Sequence, residues 1–366
     1  MYLLKNYVYE IAKKSIIELN SVGYSTPGHN GPYRDLETPV RNTAHRLYLL
    51  SNLAYLFKES LIIDAANKAC DYLCSELARP KNTIFYCRNN PKKDFSNGLI
   101  GQAWAIEGLI AAAKLLGRSD ALRIAKECYF LHPWVEDHSS WCRVDMDGGP
   151  LTIDRTFNHQ LWFAAISAHL NDSEITRRSE RFLDNIGQHV QIYDDGIIFH
   201  QSRLGTLSSN FKKISHLLIK NLYMELLRVK SHKKNYSKSV GYHSFNLYAF
   251  ALLKKIFPHH KFWSSLKFTK MLNVTKSKNF LFSLDSSIFG WPYNPPGIEL
   301  AFVGEVFDMG REYSQSWINL QYDRTFNSTT GDLLTHNVPD SLTSAARIYE
   351  AMRLKGDYYL PQNIKC

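Results

Sequence analysis

From Thr38 onward the chain repeats one pattern. A polar loop broken by Gly and Pro leads into a helix whose first turn is polar and whose remainder is apolar on every side. A second helix with a single apolar stripe follows. Residues 40–57 open on Arg41, Asn42 and His45, run on through Leu47, Leu49, Leu50 and Leu53, and are partnered by 59–78. The pattern returns at 97–113 with partner 119–131, and at 156–166 with partner 172–190. It recurs at 240–253 with partner 260–272, at 296–307, and in a copy beginning at Val338. A surface helix carries one apolar stripe, so helices that are apolar all round must be enclosed. Residues 3–20 add a leading amphipathic helix, a basic segment near 211–238 predicts a helix over 214–230, and residues 190–202 alternate enough for a short hairpin.

Helix pairs recurring every ~40–85 residues mean stacked or ring-closed hairpins. Six enclosed helices with outer partners fit a closed double ring: an all-α, (α/α)6 toroid, or six-hairpin barrel, with short β-hairpin insertions, spanning 1–366 as one domain. A solenoid would repeat more regularly and would not need inner helices that are apolar all round.

In such a ring every inner helix starts on the same side, so the polar first turns converge at one mouth. Arg41, His45, Asn97, Gln102, Asp154, His159, His243 and Glu299 all lie at or near inner-helix openings. Helix N-termini leave N–H groups unsatisfied and suit anions. Any one of these residues read alone is a cap or a buried hydrogen-bonder, yet His, Arg and Trp are not caps. The stretch from Asp145 to Ile166 concentrates the signal: a loop with Asp145, Asp147 and Asp154 feeds a helix that starts wet and ends dry.

The formal net charge is +10, which fits either a generally basic protein or an acidic partner. No arginine-rich arm or nucleic-acid motif is present, so no nucleic acid is expected as partner. The six cysteines are scattered without CxxC pairs, which argues for buried free thiols and against zinc. No stretch of ~18 uncharged apolar residues predicts a transmembrane segment, and the first twenty residues lack a signal-peptide core, so a cytoplasmic protein is expected. No metal or nucleotide cofactor is implied.

The segments DLETPVRNTAHRLYLL, NGLIGQAWAIEGLIAAA and TIDRTFNHQLWFAAI resemble the six-hairpin carbohydrate-active superfamily. This group includes unsaturated glucuronyl and rhamnogalacturonyl hydrolases, N-acylglucosamine 2-epimerases and toroidal polysaccharide lyases. The chain is also similar to proteins encoded in surface-glycan gene clusters. The resemblance implies an acidic oligosaccharide or polysaccharide as substrate. The family's hydrolases use an aspartate at the opening of an inner helix, a place that Asp154 matches. They also carry a carboxylate one hairpin earlier, where this chain has Asp94 nearby but opens its helix with Asn97. The family's epimerases use paired histidines late in the ring.

Glycoside hydrolysis needs an acid at the leaving oxygen and usually a second carboxylate. Asp154 is the candidate acid/base, with Asp145, Asp147 or Glu299 as partner. Asp147-Gly148 also reads as a solvated turn. Lyase or epimerase chemistry on a uronic acid needs a base beside the carboxylate and a cation to neutralise the enolate. His159, His243 and Tyr242 are the candidate bases there, and Arg41 or Arg155 the candidate cation. Trp104, Trp141, Trp162, Trp291 and Tyr293 are candidates for stacking on a sugar; Trp162, six residues into its helix, reads as core, and Trp291 is the stronger because GWPYNPP precedes an inner helix. Gly98 and Gly101 read as permitting close packing. A glycan-binding or assembly protein without catalysis is the third reading.

Overall fold

The computed structural model describes residues 1–202 and 220–361. The predicted helix over 214–230 is met from Lys220 on; its earlier residues lie outside the described ones.

Six inner helices form the ring: α2 (Val40–Phe57), α4 (Gly98–Leu115), α6 (Phe157–Ser167), α8 (Lys220–Ile256), α11 (Pro296–Val306), and α13 (Ser341–Ala346), which continues as a 3-10 turn over Arg347–Arg353. Each packs on the next, and the 3-10 turn returns to α2, closing the ring. The outer layer holds α1 (Leu4–Val22), α3 (Ser60–Cys74), α5 (Ser119–Leu131), α7 (Ser173–Asp184), α9 (Leu266–Val274), α10 (Lys278–Asp285) and α12 (Arg311–Thr325). The (α/α)6 toroid expected from the repeats is therefore the observed fold.

The two layers differ as the patterning requires. Every residue from Gly98 to Ala112 of α4 is buried, so the helix has no stripe to orient it and is held from all sides. On α7, burial is confined to Ile175, Ser179, Phe182 and Leu183, while Asp172 caps its first amides. The fourth hairpin departs from expectation. Its inner helix does not begin at Val240 but runs unbroken from Lys220, so its cavity-facing residues come from mid-helix. It is backed by α9, whose Phe268 meets Phe250 edge-on, and by α10.

The carboxylate-rich loop proves to be a hairpin. β2 (Trp134–Val135), β3 (Ser140–Val144) and β4 (Pro150–Ile153) form an antiparallel sheet, and 145–149 is its turn. At the chain ends, β1 (Tyr2–Leu3) pairs with β5 (Tyr359–Leu360). The residues of the alternating 190–202 segment make only isolated bridges, Ile192 with Ile198 and Gln201 with Thr156. Cys70, Cys87 and Cys128 are buried free thiols. No helix among the described residues is long and apolar enough to cross a membrane.

Candidate active site

The inner-helix openings enclose a cavity of about 270 Å3. The loop before α2 contributes Asn30, Tyr33 and Asp35, and α2 contributes Arg41. The loop before α4 brings Arg88, Lys93, Asp94 and Asn97, and α4 adds Gly98 and Trp104. Arg143 arrives from β3, Asp154 from the end of the hairpin, and Asn158 and His159 from the first turn of α6. His200, Lys238, Tyr242, Tyr293 and Asn294 close the remaining wall.

Asp154 and His159 form its centre. His159 Nδ1 lies 2.7 Å from Asp154 Oδ2. The same oxygen accepts from the Leu99 amide at 3.1 Å, and Oδ1 accepts from the Thr156 amide at 3.0 Å. Burial pushes the Asp154 carboxyl up, but the His159 ring and the two amides outweigh it and bring the value down to about 2. Asp154 is therefore an ionised acceptor. In that state it can serve His159, whose Nδ1–H it fixes. Nε2 makes no hydrogen bond among the described residues.

The backbone is shaped around this pair. Asn97 and Gly98 both have positive φ, at 55° and 60°. A Cβ on Gly98 would stand 2.5 Å from Asp154 Oδ2 and 2.6 Å from His159 Nδ1. Gly98 thus makes room for the Asp154 and His159 side chains, whereas Gly101 serves close packing, facing the Ser96 carbonyl and Cys87 Sγ.

The wall is cationic. Among the described lining residues, Arg41, Arg88, Lys93, Arg143 and Lys238 outnumber Asp35, Asp94 and Asp154. Asp94 accepts from the Gly98 amide at 2.8 Å and pairs with Arg143 at 2.9 Å and Arg88 at 3.2 Å. Asp35 pairs with Lys93 at 2.6 Å. Burial raises both carboxyls, but these partners outweigh it and hold each below its ordinary value. A second imidazole, His200, stands 4.4 Å from the Tyr242 ring. Burial, then Lys238 and His159, push its pKa well down, so it is neutral, and its Nδ1 has no partner among the described residues.

The cavity gathers Arg41, Asn97, Trp104, Asp154, His159 and Tyr242 from the sequence-derived set. Trp104 offers no free face on one side, because the Arg41 guanidinium covers its ring at 4.0 Å. The Tyr242 phenol bonds to Tyr33 at 2.9 Å, and burial, Tyr293 and Tyr33 raise its pKa well above the ordinary value, so it is no base.

The other candidates sit elsewhere. Fully buried His243 faces outward in the ring: Nδ1 accepts from the Ile198 amide and Nε2–H donates to the Met271 carbonyl. His45 is stacked on Tyr349 at 4.5 Å. Gln102 ties α4 to the Phe85 backbone and the Ser96 carbonyl. Asp145 accepts from Asp147 and Gly149 amides inside the hairpin turn, and Asp147 is exposed against Lys81. Trp291 is buried against Trp317, and its neighbour Tyr293 takes the lining position. Glu299 is enclosed with Arg347.

Arg88, Lys93, Arg143, His200, Asn294 and Asn30 were missed. Most belong to the polar loops that precede inner helices, and that position was their one signal.

Over 344 residues the chain is 40% identical to archaeal glycosylation protein Q of Haloferax volcanii, an alignment covering 91% of this chain and 92% of that protein. The chain belongs to the archaeal glycosylation protein Q family. No protein-family model matches it. The fold of this family member is shared with sugar-processing enzymes of the toroid superfamily, as the three sequence segments implied. Cellobiose 2-epimerase from Bacillus thermoamylovorans superposes with TM-score 0.58 at 12% identity, covering 95% of this chain and 99% of that one. The GH76 α-mannanase of Bacteroides thetaiotaomicron gives 0.56 at 12%, covering 94% of each. A D-mannose isomerase gives 0.55 at 11%, covering 95% and 98%. At these identities the likeness is one of fold.

Proposed function

We infer that this protein is a carbohydrate-active enzyme of glycan metabolism, acting on an acidic, uronate-type saccharide by acid–base chemistry at His159. The observation that carries the reading is the Asp154–His159 pair, with Nε2 unengaged inside a cavity whose cations outnumber its carboxylates. An imidazole oriented by a buried carboxylate is suited to general acid–base work. The family relative's name, a glycosylation protein, supports placing the chemistry in glycan assembly or processing.

Proton transfer at the carbon next to the substrate carboxylate, as in epimerisation or β-elimination, is the favoured step. Two imidazoles, His159 and His200, share the cavity, while each lining carboxylate is held ionised by cations or amides. None of those carboxyls offers the raised pKa that a hydrolytic acid needs. An arginine beside the reacting carboxylate would stabilise the enolate. Glycoside hydrolysis is the second reading. It is favoured by Asp94 and Asp154 standing at the same helix opening, where a carboxylate pair has to stand.

The test is incubation of wild type and His159→Ala with uronic acids and acidic oligosaccharides. Epimer ratio, absorbance of a new double bond and reducing ends are read together. Epimers or a double bond, lost by at least ~100-fold in the variant, support the first reading. Reducing ends without a double bond support the second. Full activity in His159→Ala overturns the first reading.

A further inference from the structure

Four asparagines line the cavity, and in three of them, Asn30, Asn97 and Asn294, the carbonyl oxygen is engaged by an arginine. Asn30 Oδ1 accepts from Arg41 Nη1 at 3.3 Å, Asn97 Oδ1 from Arg88 Nη1 at 3.0 Å, and Asn294 Oδ1 from Arg347 Nη1 at 3.1 Å. An amide whose oxygen is turned toward an arginine presents its NH2 group on the opposite side. Asn294 is 2% exposed, and its Nδ2 is buried without a partner among the described residues. A buried donor left unpaired is costly, so its lack of a partner beside a cavity points to a ligand acceptor.

Arg41 is built the same way. Its Nη1 is spent on Glu37 at 3.1 Å and on Asn30. Its Nε is buried without a partner, and Nη2 makes no hydrogen bond among the described residues. The side-on edge, Nε–H and Nη2–H, is therefore unused. Those two parallel N–H groups match the two oxygens of a planar carboxylate. The donors belong to one corner: Tyr293, next in sequence to Asn294, donates its phenol proton to Asn30 Oδ1 at 2.6 Å.

We propose that the corner formed by the side-on edge of Arg41 and the NH2 groups of Asn294 and Asn30 seats the carboxylate of a uronate. Arg347 is a positioning residue that turns Asn294 donor-inward. Arg347 is itself fixed by Glu299 and by Glu350 at 2.8 Å, so the amide cannot flip without breaking a buried charged contact. The proposal rests on the reading of this cavity as a saccharide site. It names the group that orients the sugar, apart from the Asp154–His159 pair that acts on it.

The test is calorimetric binding of three monosaccharides to the full chain: glucuronate, glucose and glucose 6-phosphate. Wild type is expected to bind glucuronate at least about tenfold more tightly than glucose. Asn294→Asp turns the inward donor into an acceptor and keeps a partner for Arg347. It is expected to remove most of that preference while changing glucose affinity by less than about twofold. Arg41→Lys, which keeps the charge and loses the fork, is expected to weaken glucuronate in the same sense. Asn294→Ala serves where Asn294→Asp fails to fold.

Equal affinity of wild type for glucuronate and glucose overturns the proposal, as does binding of none of the three. So does an equal loss for both sugars in the Asn294 variants. Binding of glucose 6-phosphate in preference to glucuronate assigns the corner to phosphate and overturns the carboxylate. Binding needs no turnover, so a retained preference in His159→Ala separates this corner from the catalytic reading.

Discussion

Asp94 and Asp154 accept hydrogen bonds from consecutive amides of one helix, Gly98 at 2.8 Å and Leu99 at 3.1 Å. One aspartate precedes α4 and the other precedes α6, so the opening of α4 is a shared anchor for two hairpins. The anchor leaves no volume at Gly98, whose absent Cβ would overlap both Asp154 and His159.

Gly98→Ala is therefore expected to displace the Asp154–His159 pair. The positive φ adds strain, for a total of roughly 1–3 kcal/mol of stability. Activity should fall at least ~100-fold, far more than that stability loss explains in a protein that remains folded. Thermal melting and turnover measured on one preparation check this. A variant with normal turnover would show that His159 Nδ1 need not lie where it does.

Asp154→Asn removes the charge that fixes the His159 tautomer while nearly preserving volume. The expected result is a fall in kcat of about 100-fold or more with KM within about threefold, because the residue acts through His159. Steady-state kinetics on the substrate found for wild type decides it. A change confined to KM would instead make Asp154 a substrate contact.

Burial depresses His132, His189 and His243 to about 4. The unfolded chain takes up these protons near pH 6.5, so between pH 6.5 and 4 it binds more protons than the folded one. Stability is thus fully present above pH 6.5 and lost as pH falls toward 4, on the order of 3 kcal/mol per histidine. A series of Tm values from pH 7.5 to 4 should fall through this window, and His243→Gln should shallow the slope. A flat series would mean that these rings are not held neutral.

Arg347 faces Glu299 and Glu350 in a fully buried triad, and burial lifts the Glu299 carboxyl to about 7. Arg347→Met strands two acidic groups and is expected to cost ~3–5 kcal/mol. Adding Glu299→Gln should recover part of that loss. Chemical denaturation of the single and double variants reads the coupling; strictly additive losses would show that the pair is not coupled.

Asp147→Asn is expected to leave both Tm and turnover unchanged. Its carboxylate is exposed against the equally exposed Lys81 at the tip of the hairpin. Loss of turnover in this variant would draw the hairpin tip into the site.

The sequence by itself determined the toroid and the side on which the polar helix openings gather. Six helices apolar on every side, each opened by a polar turn, have few other ways to be buried, and helices entering a ring from one face must bring those openings together. It did not determine which polar residues enter the cavity. His159 and His243 both stand near helix openings, but rotation about the helix axis sends one toward Asp154 and the other toward the Met271 carbonyl. Asp154 is held by His159 and by an amide fifty-five positions away. The inward donor of Asn294 depends on an arginine fifty-three positions away. Periodicity reports whether a face is buried. Only the packed ring decides what that face meets, and the partner then sets charge, tautomer and direction.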